Sequence, residues 1–174
     1  PTILRRQRQM CIRDSNTTSD KNYLYVDPED AVLRNLDLTD QGTFYVSQIT
    51  GDTDENGQTA TFTVRLSSEP NSGDSSSSND NVTITLSSSD TGEGRISHID
   101  STAVTGDTAT LTFTRSNWSA AQTVTVTGQT DNFSDGDQNY TIILSQDNQT
   151  TDLKFRYVDP PDISVKNLDL TGKG

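Results

Sequence analysis

The sequence predicts an all-β fold, an antiparallel β-sandwich of about seven to nine short strands. Three observations carry this expectation. Apolar residues alternate with polar ones in short, β-branched runs, the mark of strands with one face buried. Clusters of Gly, Asp, Asn and Ser separate those runs. A fifteen-residue segment also recurs in a fixed register, so the chain is organised around a repeated domain end.

Alternation outweighs composition here. Only 29% of the 174 residues are hydrophobic, the mean hydropathy is −0.70 and the net charge is −12. Such figures also describe disordered chains. A sandwich strand, however, buries one face only and tolerates a polar, Thr-rich outer face.

The strands follow in order. Residues 43–49 alternate Phe44 and Val46. Residues 59–66 set Ala60, Phe62, Val64 and Leu66 on one face, and residues 82–86 do the same with Val82, Ile84 and Leu86. A weaker strand covers 95–99. Residues 109–114 point Ala109, Leu111 and Phe113 inward, and 123–128 read TVTVTG. Tyr140, Ile142 and Leu144 share a face in 140–144, and 153–157 and 163–168 complete the set. Tyr45 and Tyr140 are both expected in the core. Residues 70–80, PNSGDSSSSND, form a low-complexity loop.

The repeat sets the domain limits. Residues 25–39 (YVDPEDAVLRNLDLT) and 157–171 (YVDPPDISVKNLDLT) agree at 10 of 15 positions with an offset of 132. Each copy reads as the last strand of a domain. The first therefore closes the tail of a preceding repeat, 16–40, and the second closes a complete repeat at 41–172. Residues 1–15 stand apart. They hold Arg5, Arg6, Arg8 and Arg13 with the only Met and the only Cys. Setting aside those four cations and Asp14 leaves 9 basic and 24 acidic residues. The string PTILRRQRQMCIRDS resembles a translated sequencing adapter of the kind found in metagenome assemblies. It is expected to be non-native or disordered and to lie outside the fold.

Charge and residue counts limit the function. A net charge of −12 disfavours nucleic acid and anionic membranes, which require basic patches. No run of about 18 apolar residues is present, so no membrane insertion is expected. Cys11 is alone, which excludes an internal disulfide or a Cys-based zinc site, and a single His98 excludes a His-rich metal site. His98 with Ser97, Asp100 and Ser101 imitates a catalytic triad only in sequence, because a triad is assembled from separate parts of a fold. A surface turn is the expected setting, and no enzyme activity is expected.

From residue 59 to 169 the chain resembles the Calx-beta-type repeats of large bacterial surface and adhesin-like proteins. The residues that carry this are TATFTVRLSSEP (59–70), VTITLSSSDTGEG (82–94), LTFTRSNWSAAQTVTVTG (111–128), DNFSDGDQNYTIIL (131–144) and VDPPDISVKNLD (158–169). The resemblance implies an immunoglobulin-like sandwich in tandem array, an extracellular or cell-surface location, neighbouring repeats as partners, a host-cell or surface ligand in adhesin-like members, and calcium at one pole. It places ligands on Glu55 with Asp52 and Asp54 beside it, on the 130–137 loop with Asp131, Asp135 and Asp137, and on Asp169. The pattern departs from calcium-binding members at Gln129 and Thr130, where acids are usual, and at Leu168 and Leu170, which thin the terminal cluster. Solvated turn aspartates are the alternative reading.

The expected function is a structural spacer in a secreted or cell-surface repeat protein, rigidified by calcium. The alternative is a carbohydrate- or ligand-binding module accessory to an extracellular enzyme. Trp118 discriminates between them, since a stacking platform would be exposed and a corner plug packed against the core. The six Asn-x-Ser/Thr sites at Asn16, Asn81, Asn117, Asn132, Asn139 and Asn148 follow from composition and matter only in a glycosylating host.

Overall fold

The computed structural model describes residues 41–70, 80–131 and 133–170. The expectations for residues 1–40, and for most of the Ser-rich loop, lie outside the described residues.

Ten strands form among them. They are β1 (Phe44–Val46), β2 (Thr53–Asp54), β3 (Thr59–Leu66), β4 (Asn81–Ser88), β5 (Gly94–Ile99), β6 (Thr102–Ala103), β7 (Thr108–Thr114), β8 (Gln122–Gly128), β9 (Gln138–Gln146) and β10 (Ile163–Leu168). They make two five-stranded sheets, ordered β1-β3-β8-β5-β6 and β2-β10-β9-β4-β7. Every pairing is antiparallel except β10 with β2. The protein is a β-sandwich, as the alternation predicts.

The period-two pattern accounts for the core. Phe62, Val64 and Leu66 of β3 and Val124 and Val126 of β8 meet Val82, Ile84 and Leu86 of β4, Leu111 and Phe113 of β7, and Ile142 and Leu144 of β9. The residues between them face outward. In sheet one they are threonines directly opposite each other: Thr59 with Thr127, Thr61 with Thr125 and Thr63 with Thr123. Side-chain pairs of this kind support a sheet without apolar surface on its solvent face.

The two ends of the sandwich differ. At the upper pole β8 and β10 end and β9 begins. At the lower pole β3 and β7 end and β1 and β4 begin, with Leu66 N–H donating to the Trp118 carbonyl at 3.0 Å.

Several expectations need correction. Residues 153–157 are not a strand but a series of turns at the lower pole. Phe155 from this stretch is fully buried, edge-on to Phe44 with ring centroids 5.6 Å apart, and plugs the open end of the core. Tyr45 is half exposed, because the alternation that buries Phe44 points its neighbour outward, where the Arg65 guanidinium lies 4.2 Å from its ring centroid. The strand expected at 43–49 pairs only over Phe44–Val46. The two-residue strands β2 and β6 gave no periodic signal at all. His98 sits on β5 and not in a turn, with its side chain exposed.

Candidate metal centre at the upper pole

The upper pole is built on close backbone approach. A side chain at Gly128, the last residue of β8, would overlap the Asp54 carbonyl and Asn167 Oδ1. One at Gly94, the first residue of β5, would overlap the Tyr140 ring. Glycine at both positions lets β2, β5, β8 and β10 converge.

A buried polar chain runs through this convergence. The Tyr140 hydroxyl lies 3.1 Å from Thr53 Oγ1, which is 3.0 Å from Asn167 Oδ1. The Asn167 amide donates to the Gln129 carbonyl at 3.0 Å and to Glu93 Oε2 at 3.1 Å. Gln129 N–H in turn donates to the Glu93 carbonyl at 2.9 Å. Burial pushes the Tyr140 hydroxyl above its ordinary pKa, opposed by the Thr53 hydrogen bond and assisted by the Glu93 charge.

Glu93 then meets two acids of the β8–β9 loop. Carboxylate oxygens of Glu93, Asp131 and Asp135 lie within 4.8 Å of one another. Asp131 is oriented by an Asx turn, its Oδ1 accepting the Phe133 N–H at 2.9 Å. Burial raises the Glu93 pKa above 4.5. The Asn167 hydrogen bond opposes this shift, and the charges of Asp131, Asp135 and Asp90 add to it. Hard carboxylate oxygens gathered in this way are the donor set of a divalent cation such as calcium. Glu93, Asp131 and Asp135 therefore fit calcium by their chemistry, and a bound cation would offset the repulsion that their own charges create.

The other carboxylates expected at a metal site have different partners. Asp54 Oδ1 caps the turn after β2, accepting the N–H groups of Asn56 and Gln58 at 2.9 Å each. Asp52 is exposed, and its carbonyl accepts from the Gln58 side chain. Glu55 Oε2 accepts the Leu170 N–H at 3.0 Å. Asp137 Oδ1 accepts the Asp169 N–H at 3.2 Å, and Asp169 Oδ2 accepts the Gly136 N–H at 2.9 Å. These four loop carboxylates, Asp54, Glu55, Asp137 and Asp169, fasten loops to β10 and β2.

Glu93 was not among the residues expected from sequence. It lies in the turn Asp90-Thr-Gly-Glu-Gly94, far from the Asp-rich loop along the chain. The available signal was an acid between two glycines in front of a strand.

At the lower pole Trp118 is partly buried and packs against the core. Of the glycosylation motifs, Asn117 is engaged by the chain itself, its Oδ1 accepting the Thr114 N–H and its amide donating to the Thr112 carbonyl. Among the described residues no helix is long and apolar enough to cross a membrane. No protein-family model matches the sequence, and no curated protein is significantly similar to it.

Proposed function

We propose that this chain is a spacer module of a secreted or cell-surface repeat protein, of the adhesin-like, Calx-beta type that its sequence resembles, and that calcium rigidifies its upper pole. The reading is of a structural module in contact with neighbouring repeats, not of an enzyme. The grouping of Glu93, Asp131 and Asp135 at the pole where β10 leaves the domain carries it. Glu93 belongs to the start of β5, Asp131 and Asp135 to the β8–β9 loop, and Asn167 of β10 holds Glu93 in place. Calcium held by these three carboxylates would cross-link the loops around the exit strand, where three like charges otherwise repel. The packing of Trp118 against the core favours this reading over the sugar-binding one.

The test is thermal unfolding with and without calcium. Extracellular modules bind calcium at about 10⁻⁴–10⁻³ M. Millimolar calcium is then expected to add about 0.5–1.5 kcal/mol, a rise of a few degrees in Tm. Asp135→Asn should abolish the rise. Asp147→Asn removes the carboxylate charge at a lower-pole turn, where Asp147 accepts from Thr85 and from the Gln149 N–H. It should lower Tm yet leave the calcium increment intact. An equal rise with NaCl at matched ionic strength would mean charge screening in place of a site.

A further inference from the structure

Two of the three large exposed apolar side chains mark the two ends of the sandwich. Phe133, 70% exposed, stands in the upper-pole loop, and Tyr157, 63% exposed, stands in the lower-pole turns. Single exposed aromatics are ordinary, and neither would signify alone. Their surroundings are of opposite charge. Phe133 is flanked by Asp131, Asp135 and Asp137. The Arg156 guanidinium lies 6.0 Å from the Tyr157 ring centroid, with Lys154 in the same turns. The lower pole also carries Glu69 and Asp147, but Asp80 there is already engaged by Arg115. Of the described cations, only Arg95 and Lys166 lie outside this pole, and Arg95 is paired with Asp107.

The internal repeat fixes how far apart two such poles can be. Its offset of 132 extends past Thr171, since Gly174 occupies the position of Gly42. Gly42 is seated against the lower-pole turns. Its N–H donates to the Lys154 carbonyl at 3.1 Å, and a side chain there would overlap the Phe155 ring. Asp169, at the upper pole, and the next glycine of this kind are separated by residues 170–173 only. Such a link spans at most about 18 Å.

We infer that Phe133 of one module docks on the Arg156–Tyr157 turn of the module that follows it, so that successive copies of this fold stack end to end. This rests on the reading of the chain as one module of a tandem series, and not on calcium. The contact is an aromatic side chain in an acidic rim against an arginine-stacked tyrosine. It need not be strong, because a short link gives an effective concentration of order millimolar.

The test uses the full chain with residues 43–174 repeated once after Gly174, which preserves the register of the repeat. Residual dipolar couplings report whether two modules share one orientation. One common alignment tensor is expected for the unsubstituted chain, in EDTA as well as in calcium. Phe133→Ser in the first module, or Arg156→Glu in the second, is expected to split it into two, while each module keeps its own folded spectrum. Two independent tensors in the unsubstituted chain would overturn the inference. So would a common tensor that survives both substitutions. Alignment that appears only with calcium, and is lost in Asp135→Asn but in neither docking variant, would also overturn it and leave the calcium reading standing. Alignment in EDTA that both docking variants abolish supports the inference even where no calcium binds, in which case the calcium reading fails alone.

Discussion

Asn167 reaches Glu93 from the far end of the chain. Its side-chain amide donates to the Glu93 carboxylate at 3.1 Å, while its oxygen accepts from Thr53 at 3.0 Å. With 1% of its surface exposed, it joins β10, β2 and the start of β5 through one buried amide. Substituting Asn167→Leu leaves the Thr53 hydroxyl and the Gln129 carbonyl without this partner in a dry site. A loss of about 2–4 kcal/mol is expected in denaturant unfolding. Asn167→Ser, smaller but polar, should recover part of it. A change below about 0.5 kcal/mol for the leucine variant would show that the network does not hold the pole.

Glu93 gives the pole a pH dependence in the absence of calcium. Its folded-state pKa is raised above 4.5, so the folded form favours the protonated acid. The related stability is fully present below pH 4.5 and is lost as pH rises through the folded-state pKa. Glu93→Gln retains an acceptor for Asn167 and removes the charge. In EDTA at pH 7 the variant should gain about 0.5 kcal/mol, kept small by solvent screening, and the gain should vanish below pH 4.5. In millimolar calcium the order should reverse, because the substitution removes a ligand. Tm against pH in the two conditions checks both signs.

Phe155 should rank among the most costly single truncations. It is fully buried and edge-on to Phe44. Phe155→Ala is expected to cost about 3–5 kcal/mol. Gly42→Ala, which drives a methyl group into the same ring, should also destabilise the fold. If both variants melt within a degree of the parent chain, the lower-pole plug is not part of the core.

Asp100 occupies the left-handed region, with φ 51°, at the turn between β5 and β6. Its Oδ1 also accepts the Thr123 N–H at 2.8 Å. Asn tolerates this backbone and keeps the acceptor, so Asp100→Asn should be neutral to within about 0.5 kcal/mol. Asp100→Ala loses both advantages and should cost about 1 kcal/mol. Chemical denaturation distinguishes the two, and equal effects would remove the conformational explanation.

The sequence by itself determined the elements whose side chains alternate. β3 and β10 begin and end where their patterns do, and β4, β5, β7, β8 and β9 fall within two residues of expectation. Burial on one face imposes a period that is legible without knowing the partner strand. The same rule, applied without regard to parity, misplaced Tyr45, and apolar content alone made residues 153–157 look like a strand. Two-residue strands such as β2 and β6 cannot display a period. Their existence depends on backbone pairing with β10 and β5.

The polar pole was legible only in part. The spacing of Asp131 and Asp135 marked the β8–β9 loop as acidic, but spacing along the chain cannot say which carboxylate comes from elsewhere. That was decided by tertiary structure: Gly94 and Gly128 allow the strands to close on each other, and Asn167, from β10, draws Glu93 into the group. The same folding committed Asp54, Glu55, Asp137 and Asp169 to backbone amides. A carboxylate next to an unpaired N–H accepts from it, and which N–H groups are left unpaired is known only once the strands have paired.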